Sequence, residues 1–160
     1  MGNLYSVSFS SITSSAVILE LFEVIGSTLS SFRVLGLTIG KIAAAMTSTA
    51  IETLNVGVYR GSSLGASGVA TAPIKLNARS AATASFTALI NSTALGSSGA
   101  LAQLLHAQPW NTQSTFVWKP YVGPDVDERP VCVLGQRLGV RLSAPGAAIV
   151  LGGTLLVEEI

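Results

Sequence analysis

The chain predicts an all-β fold, an antiparallel sandwich or barrel, and three observations carry the prediction. Apolar residues recur at every second position in many short runs, the period of a strand with one buried face. Those runs are separated by clusters of Gly, Ser, Thr, Asn and Pro, which favour turns. No stretch sustains a long 3.6-residue apolar repeat. Regular short strands of this kind, about eight to ten of them, read as a sandwich or barrel.

Taken in order, Tyr5, Val7 and Phe9 alternate with Ser6, Ser8 and Ser10. Residues 17–25 are apolar on both faces apart from Glu20 and Glu23, which fits a buried strand. Those glutamates stand three apart, so an unbroken strand would place them on opposite faces. Leu35, Leu37 and Ile39 share a phase, with Gly36 opposite. Residues 41–52 read as a loop with room for one helical turn. Leu54, Val56 and Val58 alternate with Asn55, Gly57 and Tyr59, up to Arg60 and Gly61. Residues 62–71 form a Gly/Ser/Ala-rich loop, long enough to expect contacts with another chain. Ala84, Phe86, Ala88 and Ile90 give a further strand phase. Residues 91–99 are a turn region, and 101–106 fit a strand or a helical turn equally. Phe116 and Trp118 alternate with Val117, and a charged loop covers 123–130.

The C-terminal stretch is the clearest. Leu138, Val140 and Leu142 face one way, and Arg137, Gly139 and Arg141 the other. Ser143-Ala144-Pro145-Gly146 supplies turn chemistry. A second run then carries Ile149, Leu151, Leu155 and Val157. The expectation is a two-stranded unit with one apolar face, covered by the other strands.

The chain has 160 residues, suiting a single domain over 1–160 with a short N-terminal arm. Charged residues make up 11% of it, against about 25% in a typical domain. So bland a surface implies cover by neighbouring subunits. A net charge of +1 gives no electrostatic case for nucleic acid or acidic lipid. The apolar run 34–46 is interrupted by Lys41, and neither it nor 16–25 reaches the ~18 residues of a membrane helix. The start of the chain has no basic region or cleavage-type signal.

Catalytic chemistry finds little support. His106 is the sole histidine and Cys132 the sole cysteine, and Cys132 lies in an apolar run that reads as core. Asp125, Asp127 and Glu128 lack the pattern of a calcium loop. Asp127 or Glu128 is expected to pair with Arg129 or cap the turn. The glycine pairs Gly36/Gly40 and Gly61/Gly65 lack the lysine of a phosphate loop. No cofactor or metal is expected. Trp110, Trp118 and Tyr121 are the large aromatics between 105 and 130, read as core or subunit contacts, with a sugar platform as the alternative.

Five stretches carry a resemblance. They are Met-Gly-Asn-Leu-Tyr-Ser-Val-Ser-Phe at 1–9 and Leu21-Phe22-Glu23-Val24. Val56-Gly57-Val58-Tyr59-Arg60-Gly61 and Leu105-His106-Ala107-Gln108-Pro109-Trp110-Asn111 follow. The last runs from Glu128-Arg129-Pro130 through Gly135-Gln136-Arg137-Leu138 to Gly153-Thr154-Leu155. In this order they resemble a family of small virion proteins of tailed bacteriophages. The resemblance implies a jelly-roll or related β-sandwich that decorates or cements the outer surface of a capsid. It implies the major capsid protein as partner, often a homotrimer, and no enzymatic activity. The alanine-rich stretch 41–50 is less acidic than the resemblance would have it. Expected contacts with other subunits or the capsid are Tyr5, Phe9, Leu64, Val69, Trp110, Trp118, Arg137 and Arg141, the two arginines through ion pairs with a neighbour. The alternative function is a carbohydrate- or receptor-binding sandwich of a head fibre or tail.

Overall fold

Alternation of apolar and polar residues dictates strands, and strands are what the chain forms. The structure, a computed structural model, describes residues 2–14, 17–42, 51–61, 68–77, 83–92 and 103–160. Most of the expected loop over 41–52, most of the loop over 62–71 and most of the turn region over 91–99 lie outside the described residues. Twelve strands and no helix are found among the described residues. They are β1 (Asn3–Ser14), β2 (Leu19–Ile25), β3 (Phe32–Lys41), β4 (Thr53–Gly61), β5 (Val69–Thr71) and β6 (Ile74–Lys75). β7 (Thr87–Ser92), β8 (Gln103–Asn111), β9 (Phe116–Trp118), β10 (Val131–Cys132), β11 (Arg137–Leu142) and β12 (Ile149–Glu159) follow. The count exceeds eight to ten because β5, β6, β9 and β10 are only two or three residues long. Such short pieces leave too few positions to show a period.

Two antiparallel sheets stack face to face. The first runs β10-β3-β12-β1-β6, with β9 also on β3, and the second runs β5-β7-β2-β11-β4-β8. The first four strands alternate between the sheets, and β8 and β9, then β11 and β12, alternate again. β9 and β10 share one lane beside β3, broken by the excursion 119–130. The strand order β9/β10-β3-β12-β1 facing β2-β11-β4-β8 is that of a jelly roll. Residues expected as an N-terminal arm are therefore mostly β1, held between β12 and β6.

The C-terminal pair is corrected. β11 lies in the second sheet and β12 in the first, so they do not pair with one another. Residues 143–148 cross between the sheets, where a hairpin would need a tighter primed turn. Glu52 holds this crossing, its carboxylate accepting from the Gly146 and Ala147 amides at 3.0 and 3.1 Å. The apolar faces of both strands thus meet across the core. Leu138, Val140 and Leu142 from one sheet and Leu151, Leu155 and Val157 from the other are fully buried. Each such side chain contributes ~1.5–3 kcal/mol. Phe9 and Phe22 pack with ring centroids 5.0 Å apart, and Phe86 sits 5.3 Å from Tyr5 and 5.8 Å from Phe32.

Two bulges shift expected phases. Between the β2 partners of Val140 and Arg141 the register slips by one residue at Leu21. Glu20 and Glu23 therefore share the outer face of the second sheet rather than opposing faces. A second slip at Leu35 puts Val34 on the core side with Leu37 and Ile39, displacing Leu35 from that phase.

Candidate interaction surface

The outer face of the first sheet follows from strand parity. Val7 and Leu155 point inward, so their neighbours point outward. One cross-strand row reads Ser8, Thr154, Thr38 and Val117, and the next reads Ile74, Ser6, Leu156 and Gly36. Among the described residues the first row carries no charged side chain, while Lys119 closes the second, its Cγ 3.8 Å from where a Cβ on Gly36 would stand. Ser8 and Thr154 hydroxyls hydrogen-bond at 3.0 Å. Ile74 and Val117 stand exposed at opposite margins. A third row reads Leu4, Glu158, Arg33 and Val131, and here charge sits in the middle of the row.

That charge is neutralised within the chain. Arg33 Nε donates to Glu158 Oε2 at 2.6 Å, and Arg33 also meets Asp127 at 3.5 Å. Arg129 binds Asp127 through Nε at 2.7 Å, and the Arg129 amide donates to the same carboxylate, as expected for that turn. Hydrogen bonds from Arg129 hold the Asp127 carboxyl down at about 2. The Arg33 hydrogen bond likewise holds Glu158 below the usual carboxylate range. Burial works to raise Glu159, but donors at Ser85, Ser30 and Tyr5 outweigh it and leave the carboxyl lowered.

Among the described residues the outer face of the second sheet carries four charges, also paired. Arg137 Nη1 donates to Glu23 Oε1 at 2.9 Å, and Arg141 Nε donates to Glu20 Oε1 at 3.0 Å. The Arg141 guanidinium also lies 4.8 Å from the centre of the Tyr59 ring. Glu20, Glu23 and Arg141 are buried. Burial pushes the Glu23 carboxyl up, against the opposing pull of Arg137. Glu23 Oε2 and Arg141 Nη2 are buried without a hydrogen-bond partner among the described residues.

Among the described residues, the fold gives each expected contact residue a place. Tyr5, Phe9 and Trp110 are core side chains, and Trp110 Nε1 donates to the Ser114 carbonyl at 2.8 Å. Trp110 lies opposite Leu54, on the inward phase of β8. Arg137 and Arg141 pair with the chain's own Glu23 and Glu20. Val69 is exposed, Trp118 is half-buried, and Leu64 lies outside the described residues. Cys132 is buried in the core, where desolvation pushes its thiol up to about 12.

At one open edge of the sandwich, between β8 and β9, His106 stacks on Trp118. The centroids are 4.7 Å apart and the planes 19° from parallel. This pair borders a cleft of about 510 Å³, lined also by Leu105, Lys119, Pro120, Tyr121, Glu128 and Pro130. Reading by residue type grouped Trp110 with Trp118 and Tyr121; the structure brings together only the last two. His106 was missed as their companion, because its partner lies on the other sheet.

No family model matches the chain, and no curated protein matches it. Among solved structures it is similar to a chain in the structure of infectious bursal disease virus, Gx strain. The identity is 14%, the TM-score 0.23, and the match covers 98% of this chain and 41% of that one. A chain in the crystal structure of the IBDV viral particle gives 15% identity and a TM-score of 0.22, covering 98% of this chain and 39% of that one. The chain thus spans about two fifths of either chain it matches. Likenesses at these scores carry no argument about fold or function.

Proposed function

We propose that the chain is a structural virion protein that decorates or cements a tailed-phage capsid from its outer surface. In this reading it acts as a homotrimer, has no catalytic role, and takes the major capsid protein as its partner. The observation that carries the reading is the outer face of the first sheet. Its two central rows hold hydroxyls, glycine and aliphatic side chains, with charge only at the margin where Lys119 reaches Gly36. A face so poor in charge packs on another protein with little to desolvate, which fits the depletion of charge at interface cores. The jelly roll is consistent with this role but does not assign it, since one fold serves many functions. The five-stretch resemblance supplies the phage context. Cementing is multivalent, so a modest contact repeated over a lattice suffices.

The test adds purified protein to tailed-phage capsids assembled without it, with native mass spectrometry of the free protein. The expected results are a trimer and saturable binding. Ser8→Lys with Thr38→Arg places two charges on the exposed row and should abolish capsid binding while leaving the melting temperature unchanged. A monomer that fails to bind capsids overturns the function. Full binding by the folded double variant overturns the role of this face.

A further inference from the structure

The cleft at the β8–β9 edge is a built site, and its construction begins in the sequence. Trp118 is the last residue of β9, on the inward phase opposite Leu37. Its ring reaches the edge of the core and is capped by His106 from the other sheet. The chain then leaves the sheet at Lys119-Pro120-Tyr121 and returns at Glu128-Arg129-Pro130. This excursion is pinned. Val122 bridges Asp127, Gly123 N donates to the Val126 carbonyl at 2.8 Å, and Glu128 N donates to the Tyr121 carbonyl at 3.0 Å. The Asp127–Arg129 and Asp127–Arg33 pairs fasten its base. Tyr121 and Glu128 are thereby fixed as cross-strand neighbours on the cleft wall.

Two features of this wall are open to a ligand. Tyr121 is 59% exposed, leaving a large amphipathic ring in water where a buried one would contribute to the core. The second feature is charge. Elsewhere Arg33, Arg129, Arg137 and Arg141 have carboxylate partners, and Arg60 donates to Gln103 and to the Val131 carbonyl. Glu52 caps a crossing, and Lys75 lies over Tyr5. Lys119 and Glu128, both exposed on the cleft wall, have no ion-pair partner among the described residues, and neither has Asp125 in the same excursion.

We propose that this cleft binds a neutral pyranose sugar, seated on Tyr121 and the Trp118–His106 pair and hydrogen-bonded by Lys119 and Glu128. The C–H face of a pyranose is apolar and flat, which suits an aromatic wall. Its rim of hydroxyls both donates and accepts, which suits a carboxylate beside an ammonium. An anionic ligand would be opposed by Glu128, a cationic one by Lys119, and a wholly apolar one would strand both. The volume, about 510 Å³, falls within the ~300–1,000 Å³ of small-ligand sites. A pinned backbone of this kind leaves only side chains to be ordered on binding. The site does not use the Ser8–Thr154–Thr38 row, so its failure would leave the capsid reading standing.

Saturation-transfer NMR on the whole chain, with the methyl glycosides of glucose, galactose, mannose and N-acetylglucosamine as probes, tests the proposal. The expected result is transfer to the ring protons of at least one glycoside, with millimolar affinity. Tyr121→Ala and Glu128→Gln should each weaken it by about tenfold or more, at unchanged melting temperature, both residues being exposed. Absence of transfer to all four glycosides overturns the proposal. So does binding that Tyr121→Ala leaves intact.

Discussion

Arg141 lies directly opposite Glu20 on the neighbouring strand, and its Nε donates to Glu20 Oε1 at 3.0 Å on the outer face of the second sheet. The pair exists because Leu21 is an extra residue in β2. Without that bulge Glu20 would turn toward the core and Arg141 would lose its partner. The Tyr59 ring on the far side of the guanidinium completes the enclosure.

Breaking this pair should therefore damage folding rather than assembly. Truncating one member of a buried ion pair strands the other charge, at a cost of ~3–5 kcal/mol. Arg141→Ala should lower Tm by roughly 10 °C in a domain of this size. Glu20→Met with Arg141→Met should recover most of that, since no buried charge is then left alone. Calorimetry of the single and double variants decides it. An unchanged Tm for Arg141→Ala would show that the pair contributes nothing.

Gly153 and Gly40 make a contrasting pair on adjacent strands. A Cβ at Gly153 would stand 3.0 Å from both Phe9 Cε1 and the Thr38 carbonyl oxygen, whereas at Gly40 it would meet nothing within 4 Å. The Thr38 carbonyl belongs to the sheet and cannot move aside. Gly153→Ala should then cost ~1–3 kcal/mol by overpacking, while Gly40→Ala should be neutral or slightly stabilising. Urea denaturation of the two variants should separate them clearly. Equal midpoints would mean that Phe9 repacks freely.

The strands were legible wherever alternation persisted for five or more residues, as in β1, β4, β11 and β12. The bulges were not. An inserted Leu21 in an already apolar run leaves no trace in the pattern, so the shared face of Glu20 and Glu23 could not be read. Nor could sheet membership. β11 and β12 have complementary apolar faces whether they pair edge to edge or pack face to face. The six residues between them were the available hint, being long for a hairpin. Among the aromatics, Trp110 and Trp118 look alike as residues. Strand phase separates them, and the phase of β8 was obscured by its own register shift near Leu105. His106 and Trp118 meet only because two edges close on each other, which is a property of the tertiary fold.

Acid should unfold the protein through the carboxylates at one end of the first sheet. Asp127, Glu158 and Glu159 all ionise more readily in the folded chain than in the unfolded one. As pH falls below the ordinary glutamate value of 4.5, the unfolded chain takes up protons first, and the folded state loses ground. The stabilisation is thus present above that pH and is lost toward pH 2, where Asp127 itself titrates at about 2. Glu23 works the other way. Its raised carboxyl favours the folded state as protons bind, offsetting part of the loss. Tm should fall steadily from about pH 4.5 downward, and Glu158→Gln should flatten that slope while lowering Tm at pH 7. A slope unaffected by the substitution would remove Glu158 from the account.

Cys132 offers a direct readout of the core. It lies on β10 against Phe32 of β3, fully buried, with its thiol pushed up to about 12. The thiolate is the reactive form. In the folded protein at pH 8 both access and ionisation are withheld, while in the unfolded chain the thiol returns to its usual range near ~8.5. Iodoacetamide should therefore leave the native protein unlabelled over hours and modify it within minutes in concentrated urea. At intermediate urea the labelled fraction should track loss of the β-sheet signal in circular dichroism. Labelling that runs ahead of it would mean that β10 detaches from β3 while the rest of the sandwich stands. The lane shared by β9 and β10 would then be the first part of the jelly roll to open.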